Sequence, residues 1–188
     1  MRGCLTVLIL LVLLGAALVA AAYVLLPRQP GLAARAQLTP VPVSSAAAVR
    51  FDQKVATMQS APASTTVEIT EQEATSKLVE ALAADPSAPR IDKPQVAFRD
   101  GQIYVSGVTH DTPVPVNVVI YGRVQARDGQ LYAVVDGIDT GQFPLPGQFK
   151  EMLVSRATDL SALNSELPIY VEDVQVREGR LALTGRPK

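Results

Sequence analysis

Three segments of the chain share one layout, in which a β-rich run is followed by an arginine, an acid, a glycine and a second β-rich run. The glycines are Gly101, Gly129 and Gly179. Glycine adopts positive φ without a Cβ clash, and a preceding aspartate tolerates it as well. An Asp-Gly pair between alternating apolar residues is the strongest short-range signal for a hairpin. The sequence therefore predicts three antiparallel hairpins.

The middle hairpin is apolar on both of its faces. Side chains alternate along a strand, so Val118 and Ile120 share one face of its first strand, whereas Val119 and Tyr121 share the other. A sheet that is apolar on both faces needs cover on both, from helices, from another sheet or from a ligand.

Two amphipathic helices are predicted beside these hairpins. Thr70 and Glu73 form a capping-box pattern, which starts a helix that ends before Pro86. A second apolar stripe at helical spacing runs from Phe149 to Leu163. The predicted fold class is therefore α+β, a curved antiparallel sheet of about six to eight strands packed with two helices.

The start of the chain predicts one transmembrane helix. Gly3 to Leu26 contains neither charge nor proline. As a helix it would be roughly 36 Å long, enough to cross a hydrocarbon core of about 30 Å. A cleaved signal peptide is the alternative, with small-x-small sites ending at Ala22 and Ala36. The apolar run exceeds the ~7–15 residues of a usual signal core, which favours an uncleaved signal-anchor.

The chain is predicted to have three parts. Residues 1–27 form the anchor, 28–65 form a linker rich in proline and alanine, and 66–188 form the soluble α+β domain. Prolines keep the linker extended. Ser44 and Ser45 could cap a short helix inside it, over Ala46 to Gln59.

Composition and motifs exclude several classes of function. From Thr66 to Lys188 there are 12 basic and 17 acidic residues, so phosphate backbones would repel the domain and nucleic-acid binding is not expected. The single cysteine, Cys4, allows no internal disulfide and no cysteine-rich metal site. The sequence contains no phosphate-binding loop, dinucleotide fingerprint or zinc-ligand set. No cofactor is expected.

No catalytic residues are predicted, and the protein is not expected to be an enzyme. The single histidine, His110, adjoins Asp111, but no nucleophile is evident, and Ser106 is not in a glycine-serine-glycine elbow. A calcium site at Asp136 and Asp139 is an alternative to two solvated acids at a hairpin end. Neither pattern predicts a metal site.

One turn and one helix start resemble a known group of proteins. The run Gly141-Gln142-Phe143-Pro144-Leu145-Pro146, and the earlier run from Val67 to Glu73, are similar to those of the YpmS-like and LmeA-like membrane-anchored envelope proteins. The likeness covers roughly Val67 to Leu163 and contains no catalytic residues. It implies an extracytoplasmic domain associated with lipid or with cell-envelope maintenance, and a tubular lipid-binding-type fold in which a curved sheet cradles a helix.

The functional prediction is a single-pass, membrane-tethered extracytoplasmic domain that binds a membrane lipid or another apolar ligand without catalysis. The groove is predicted between the sheet and the helix Phe149–Leu163. The alternative is a structural or accessory subunit of a membrane protein complex, which docks through its soluble domain or the strand edge near Val174–Thr184. The candidate ligand-binding residues are Val119, Tyr121, Tyr132, Val134, Phe143, Phe149, Met152 and Leu153.

Overall fold

A computed structural model describes residues 39–86, 88, 90–110, 115–141, 147, 151, 154–155, 158 and 169–188. The predicted anchor and the first part of the predicted linker lie outside these residues. Most of the predicted helix Phe149–Leu163 does so too, although Val154 and Thr158 are helical and the Thr158 hydroxyl donates to Val154 O at 2.9 Å. No helix within the described residues is long and apolar enough to cross a membrane.

Two helices and seven strands lie entirely within the described residues. They are α1 Ser45–Ser60, β1 Thr65–Thr70, α2 Glu71–Ala84, β2 Ile91–Arg99, β3 Gln102–Thr109, β4 Val116–Arg127, β5 Gln130–Asp139, β6 Ile169–Arg177 and β7 Arg180–Pro187. All strand pairs are antiparallel. The α+β class is therefore confirmed.

The three predicted hairpins are present as β2–β3, β4–β5 and β6–β7. Asp100 and Gly101 have φ of 50° and 74°, and Asp128 and Gly129 have φ of 53° and 78°. Positive φ at both central residues matches the right-handed twist of the flanking strands. In the third turn Gly179 has φ 72°.

The strands form two sheets, where the sequence predicted a single curved one. The order is β2-β3-β4-β5 in one sheet and β1-β7-β6 in the other, and neither is closed. Their backbones meet where Val171 N–H donates to Gly129 O and Gly179 N–H donates to Phe98 O, each at 3.0 Å. Otherwise the far end of β4–β5 packs its side chains against the smaller sheet, with Leu131 against Val171. The two sheets are therefore held together mainly by packed side chains and not by a continuous ladder of backbone hydrogen bonds.

Helix α1 contributes to this core, although its residues lie in the segment predicted as a linker. Ser44 caps it by accepting from Ala47 N–H. Met58, near its other end, is fully buried and packs with Leu131, Ile169 and Leu183. The helix therefore joins both sheets at their common core.

Helix α2 covers the free edge of β2 with polar side chains. The hydroxyl of Thr75, which is fully buried, accepts from Val96 N–H at 2.9 Å and lies 3.5 Å from Val96 O. Glu71 accepts from Phe98 N–H at 2.8 Å. An edge strand needs partners for its outward backbone groups. This need places the polar face of α2 against the sheet and leaves Leu82, on the predicted apolar face, only partly buried.

Thr75→Val is expected to lower the free energy of unfolding by about 1–3 kcal/mol, because it leaves the buried Val96 N–H without its acceptor at nearly constant volume. Urea unfolding of both proteins measures the change. Thr57→Val is the matched control, since the Thr57 hydroxyl bonds only within an exposed turn of α1. Equal effects of the two substitutions would contradict the edge-covering role.

The two helices are joined by ion pairs centred on a buried acid. Glu73 is 3% exposed. Its carboxylate accepts from Lys54 Nζ at 2.7 Å and from Thr70 N–H at 2.9 Å, and it lies 3.6 Å from Arg50 Nε. The Thr70 hydroxyl accepts from Glu73 N–H, so the predicted capping box is confirmed.

Candidate functional site

An open cleft of 770 Å³ lies between the C-terminal end of α2 and the start of β2. Its lining combines apolar residues with four exposed polar residues, which we call its rim. The apolar residues are Val79, Leu82, Ala83, Pro86, Ala88, Ile91 and Pro94, and the polar ones are Asp85, Arg90, Asp92 and His110.

The cleft forms because both of its walls depart from regular structure at the same level. Helix α2 ends at Ala84, and the next residue, Asp85, adopts an extended conformation. The pairing of β2 with β3 is interrupted between Asp92 and Gln95, and Lys93 has φ 48°. A bulge bends its strand. The first residues of β2 are therefore displaced from the regular line of the strand beside the end of α2.

The rim is held by contacts between the start of β2 and the end of β3. His110 Nε2 lies 2.9 Å from Asp92 Oδ2, and His110 N–H donates to Arg90 O at 3.2 Å. Both side chains of the His110–Asp92 pair are largely exposed. The rim therefore offers groups of both charge signs to a polar ligand group.

A small, partly open cavity of 30 Å³ adjoins the cleft. Ile91 lines both spaces. The other lining residues of the cavity are Val105, Ser106, Gly107, Thr109, Val118 and Ile120. Val118 and Ile120 also pack with Val116 and Ile138 in an apolar cluster on this face of the larger sheet.

Two of the sequence-predicted residues lie together on the opposite face of that sheet. Val119 is 1% exposed and packs with Ala97, Tyr104 and Tyr121. The rings of Tyr104 and Tyr121 stack with their centroids 5.9 Å apart. Burial, and then the nearby charge of Asp100, raises the pKa of Tyr104.

Tyr132 and Val134 lie on the same face as Val119 but toward the other end of β5. They pair with Gln125 and Arg123, and their exposed fractions are 43% and 41%. The other four predicted residues, Phe143, Phe149, Met152 and Leu153, lie outside the described residues. The groove predicted from these eight side chains therefore stays a prediction.

The acids named as an alternative cation site have other contacts. Both carboxylate oxygens of Asp136 bind Arg123, at 2.8 and 3.0 Å, and Gln102 donates to one of them. The hydrogen bond from Arg123 holds the pKa of Asp136 below its ordinary value. Within the part of the chain that the structure describes, no cluster of three or more His, Cys, Asp or Glu side chains could hold a metal ion.

The sequence carries two signals for the cleft and the adjoining cavity. Val79, Leu82 and Ala83 follow the spacing of one helical face. Gly107 interrupts an otherwise regular strand, which marks a close approach of other atoms. A Cβ on Gly107 would overlap Ile91 Cγ2, which lies directly over it. Only the tertiary structure shows that these two signals belong to one site.

Comparison with known proteins now adds to this geometry. No curated protein and no solved structure matches the sequence. The model of one family, described as LmeA-like phospholipid-binding, matches residues 18–186. This description names a lipid, and not a protein complex, as the partner, and it agrees with the resemblance drawn from the turn and the helix start. The chain belongs to the LmeA-like phospholipid-binding family.

Proposed function

We propose that the protein binds a phospholipid whose acyl chains enter the cleft between α2 and β2. The observation that carries this proposal is the mixed lining of the cleft, in which apolar side chains such as Val79, Leu82 and Ile91 lie beside exposed charged and polar ones. An amphipathic ligand with a charged head and an aliphatic tail matches that mixed lining. The family match names the same ligand class.

The size of the cleft fits this role. Ligand sites usually enclose about 300–1,000 Å³ and combine apolar walls with a few convergent polar groups. The cleft has 770 Å³. Its open side allows a headgroup to remain in water beside Arg90 and His110 while the acyl chains leave it.

We further propose that the domain is tethered to a membrane by the predicted helix Gly3–Leu26, that it lies on the extracytoplasmic side and that it acts without catalysis. A tether would keep the cleft close to its lipid source. The uncharged apolar run supports the tether, and the resemblance drawn from the turn and the helix start supports the extracytoplasmic side. The orientation can be tested with a cysteine introduced near Thr39. On intact cells, an impermeant thiol reagent should label it if the domain is extracytoplasmic. Release of fatty acid from bound phospholipid would contradict the non-catalytic role.

Val79→Asp is expected to weaken phospholipid binding by at least about tenfold, because an unpaired carboxylate in an apolar wall is costly to desolvate. Native mass spectrometry of the full chain in detergent with dipalmitoylphosphatidylglycerol measures the bound fraction. Val49→Asp is the matched control, since Val49 is 50% exposed on α1 and does not line the cleft. Equal binding by both variants would place the lipid elsewhere, and no retained phospholipid on the wild-type chain would contradict the proposed function.

A further inference from the structure

Ile91 occupies a special position between two spaces. It is the residue common to the linings of the open cleft and of the small cavity beside it. Its side chain therefore forms the wall where the cleft ends and the cavity begins. It is only partly buried, because its other side faces the open cleft.

The backbone holds this side chain in place from both directions. Ile91 pairs with Thr109 at the start of β2, immediately before the bulge. Beneath it, Gly107 has no Cβ, and the space that a Cβ would need is taken by Ile91 Cγ2. The position that a Cβ on Gly107 would take is also 3.2 Å from Asp92 O and 3.5 Å from the Cα of Pro94. The start of β2 is thus held close to β3, and the Ile91 side chain extends over Gly107 of the neighbouring strand.

We propose that Ile91 is a specificity-determining residue, which closes the inner end of the cleft and sets the length of acyl chain that the protein accepts. This inference rests on the proposed function and deepens it. A chain that lies in the cleft against Val79 and Leu82 is separated from the cavity by Ile91, the residue that lines both spaces. With Ile91 in place, the terminal methyl group of the chain stops there.

Removing this wall would lengthen the site by a predictable amount. Ile91→Ala deletes three carbon atoms and joins the 30 Å³ cavity to the cleft. The deleted atoms and the cavity together give room for roughly a pair of additional methylenes. Each methylene buried favours binding by about fourfold, so the gain from burying two of them is about fifteenfold.

The test is a competition among saturated phosphatidylglycerols that share one headgroup. The full-length protein in detergent is mixed with the dilauroyl, dimyristoyl, dipalmitoyl and distearoyl lipids, and native mass spectrometry gives the bound ratios. For Ile91→Ala we expect the preferred lipid to shift to the next longer member, with about a fifteenfold rise in its ratio to its shorter neighbour. Ile91→Val, which removes a single methyl group, should shift the ratio in the same direction by a smaller factor and covers the case in which the alanine variant does not fold.

Two further variants separate the wall from the spaces on either side of it. Val118→Ala enlarges the cavity and leaves Ile91 in place, so the preferred chain length should stay that of the wild type. Val49→Ala, on an exposed part of α1, controls for substitution as such. An unchanged preference in both Ile91 variants, or an equal shift in Val118→Ala, would overturn the inference while leaving phospholipid binding intact. Absence of any bound lipid on the wild-type protein would overturn the proposed function itself, and this inference with it.

Discussion

Replacing Met58 by alanine is expected to lower the free energy of unfolding by about 2–5 kcal/mol, as measured by urea denaturation of the full chain. Met58 is fully buried, and Leu131, Ile169 and Leu183 surround it. The substitution removes its contacts with both sheets at once and leaves a cavity at their junction. Gly185 lies beside the methionine methyl group, which is 3.2 Å from the position that a Cβ on Gly185 would take. Because glycine has no side chain, it cannot fill the cavity that the substitution leaves.

Two controls distinguish burial from effects on the helix alone. Val49→Ala lies on the same helix at a side chain that is 50% exposed, and we expect a change within about 0.5 kcal/mol. Met58→Leu conserves volume and should cost less than about 1.5 kcal/mol. A Met58→Ala effect as small as that of Val49→Ala would mean that α1 is not part of the folded unit. A fragment that begins at Thr66 would lack α1 entirely, and we expect it to be less stable than the alanine variant.

Replacing Glu73 by alanine is expected to lower the free energy of unfolding by about 2–4 kcal/mol. The change removes half of a capping box and the acceptor for Lys54 Nζ. It also leaves the Thr70 N–H without its side-chain partner. The lower end of the range applies if Lys54 becomes hydrated in the variant, since 32% of its side chain is already exposed. Urea unfolding at neutral pH measures the effect.

Glu80→Ala is the matched control on the same helix. Glu80 pairs with Lys77 at 2.8 Å, but its side chain is 53% exposed. Pairs of this kind contribute about 0–1 kcal/mol. If the two alanine variants lost equal stability, the buried network would have no special role in holding α1 against α2.

The contribution of Glu73 should also depend on pH. Burial alone would raise the pKa of its carboxyl, but hydrogen bonds from Lys54 and Thr70 outweigh it and hold the pKa below the ordinary value of 4.5. A group whose pKa is lower in the folded state stabilises fully above its unfolded pKa, and this stability is lost as the pH falls through the folded value. The difference in unfolding free energy between wild type and Glu73→Gln should therefore shrink below pH 4.5. Because the pKa of Asp136 is lowered as well, only this difference isolates Glu73.

Local features of this protein were predictable where the determinant lies within a few residues. The hairpin turns at Asp100-Gly101 and Asp128-Gly129 follow from the backbone freedom of glycine, and the start of α2 follows from the hydroxyl and carboxylate of Thr70 and Glu73. The helix over 45–60 was also indicated by its serine cap. Each of these depends on interactions that form before the chain is compact.

The orientation of α2 shows where such reasoning stops. Its sequence has an apolar stripe that includes Leu78 and Leu82, yet the residues it buries are Glu73, Thr75 and Ser76. The reason is that Val96 lies on a sheet edge that needs hydrogen-bond partners, and α2 supplies them. Nothing within the helix indicates which strand edge it will meet.

By itself, the sequence determined the three hairpins, the α+β class and the resemblance to a phospholipid-binding family, because turn chemistry, capping and side-chain periodicity are encoded by near neighbours. Only the tertiary structure decided that the strands divide into two sheets, that β1 pairs with β7 across more than a hundred residues, and that Val79 and Ile91 line one cleft while Gly107 lies under Ile91. These arrangements depend on which surfaces bury each other most fully, a property of the whole packed chain that no local pattern contains.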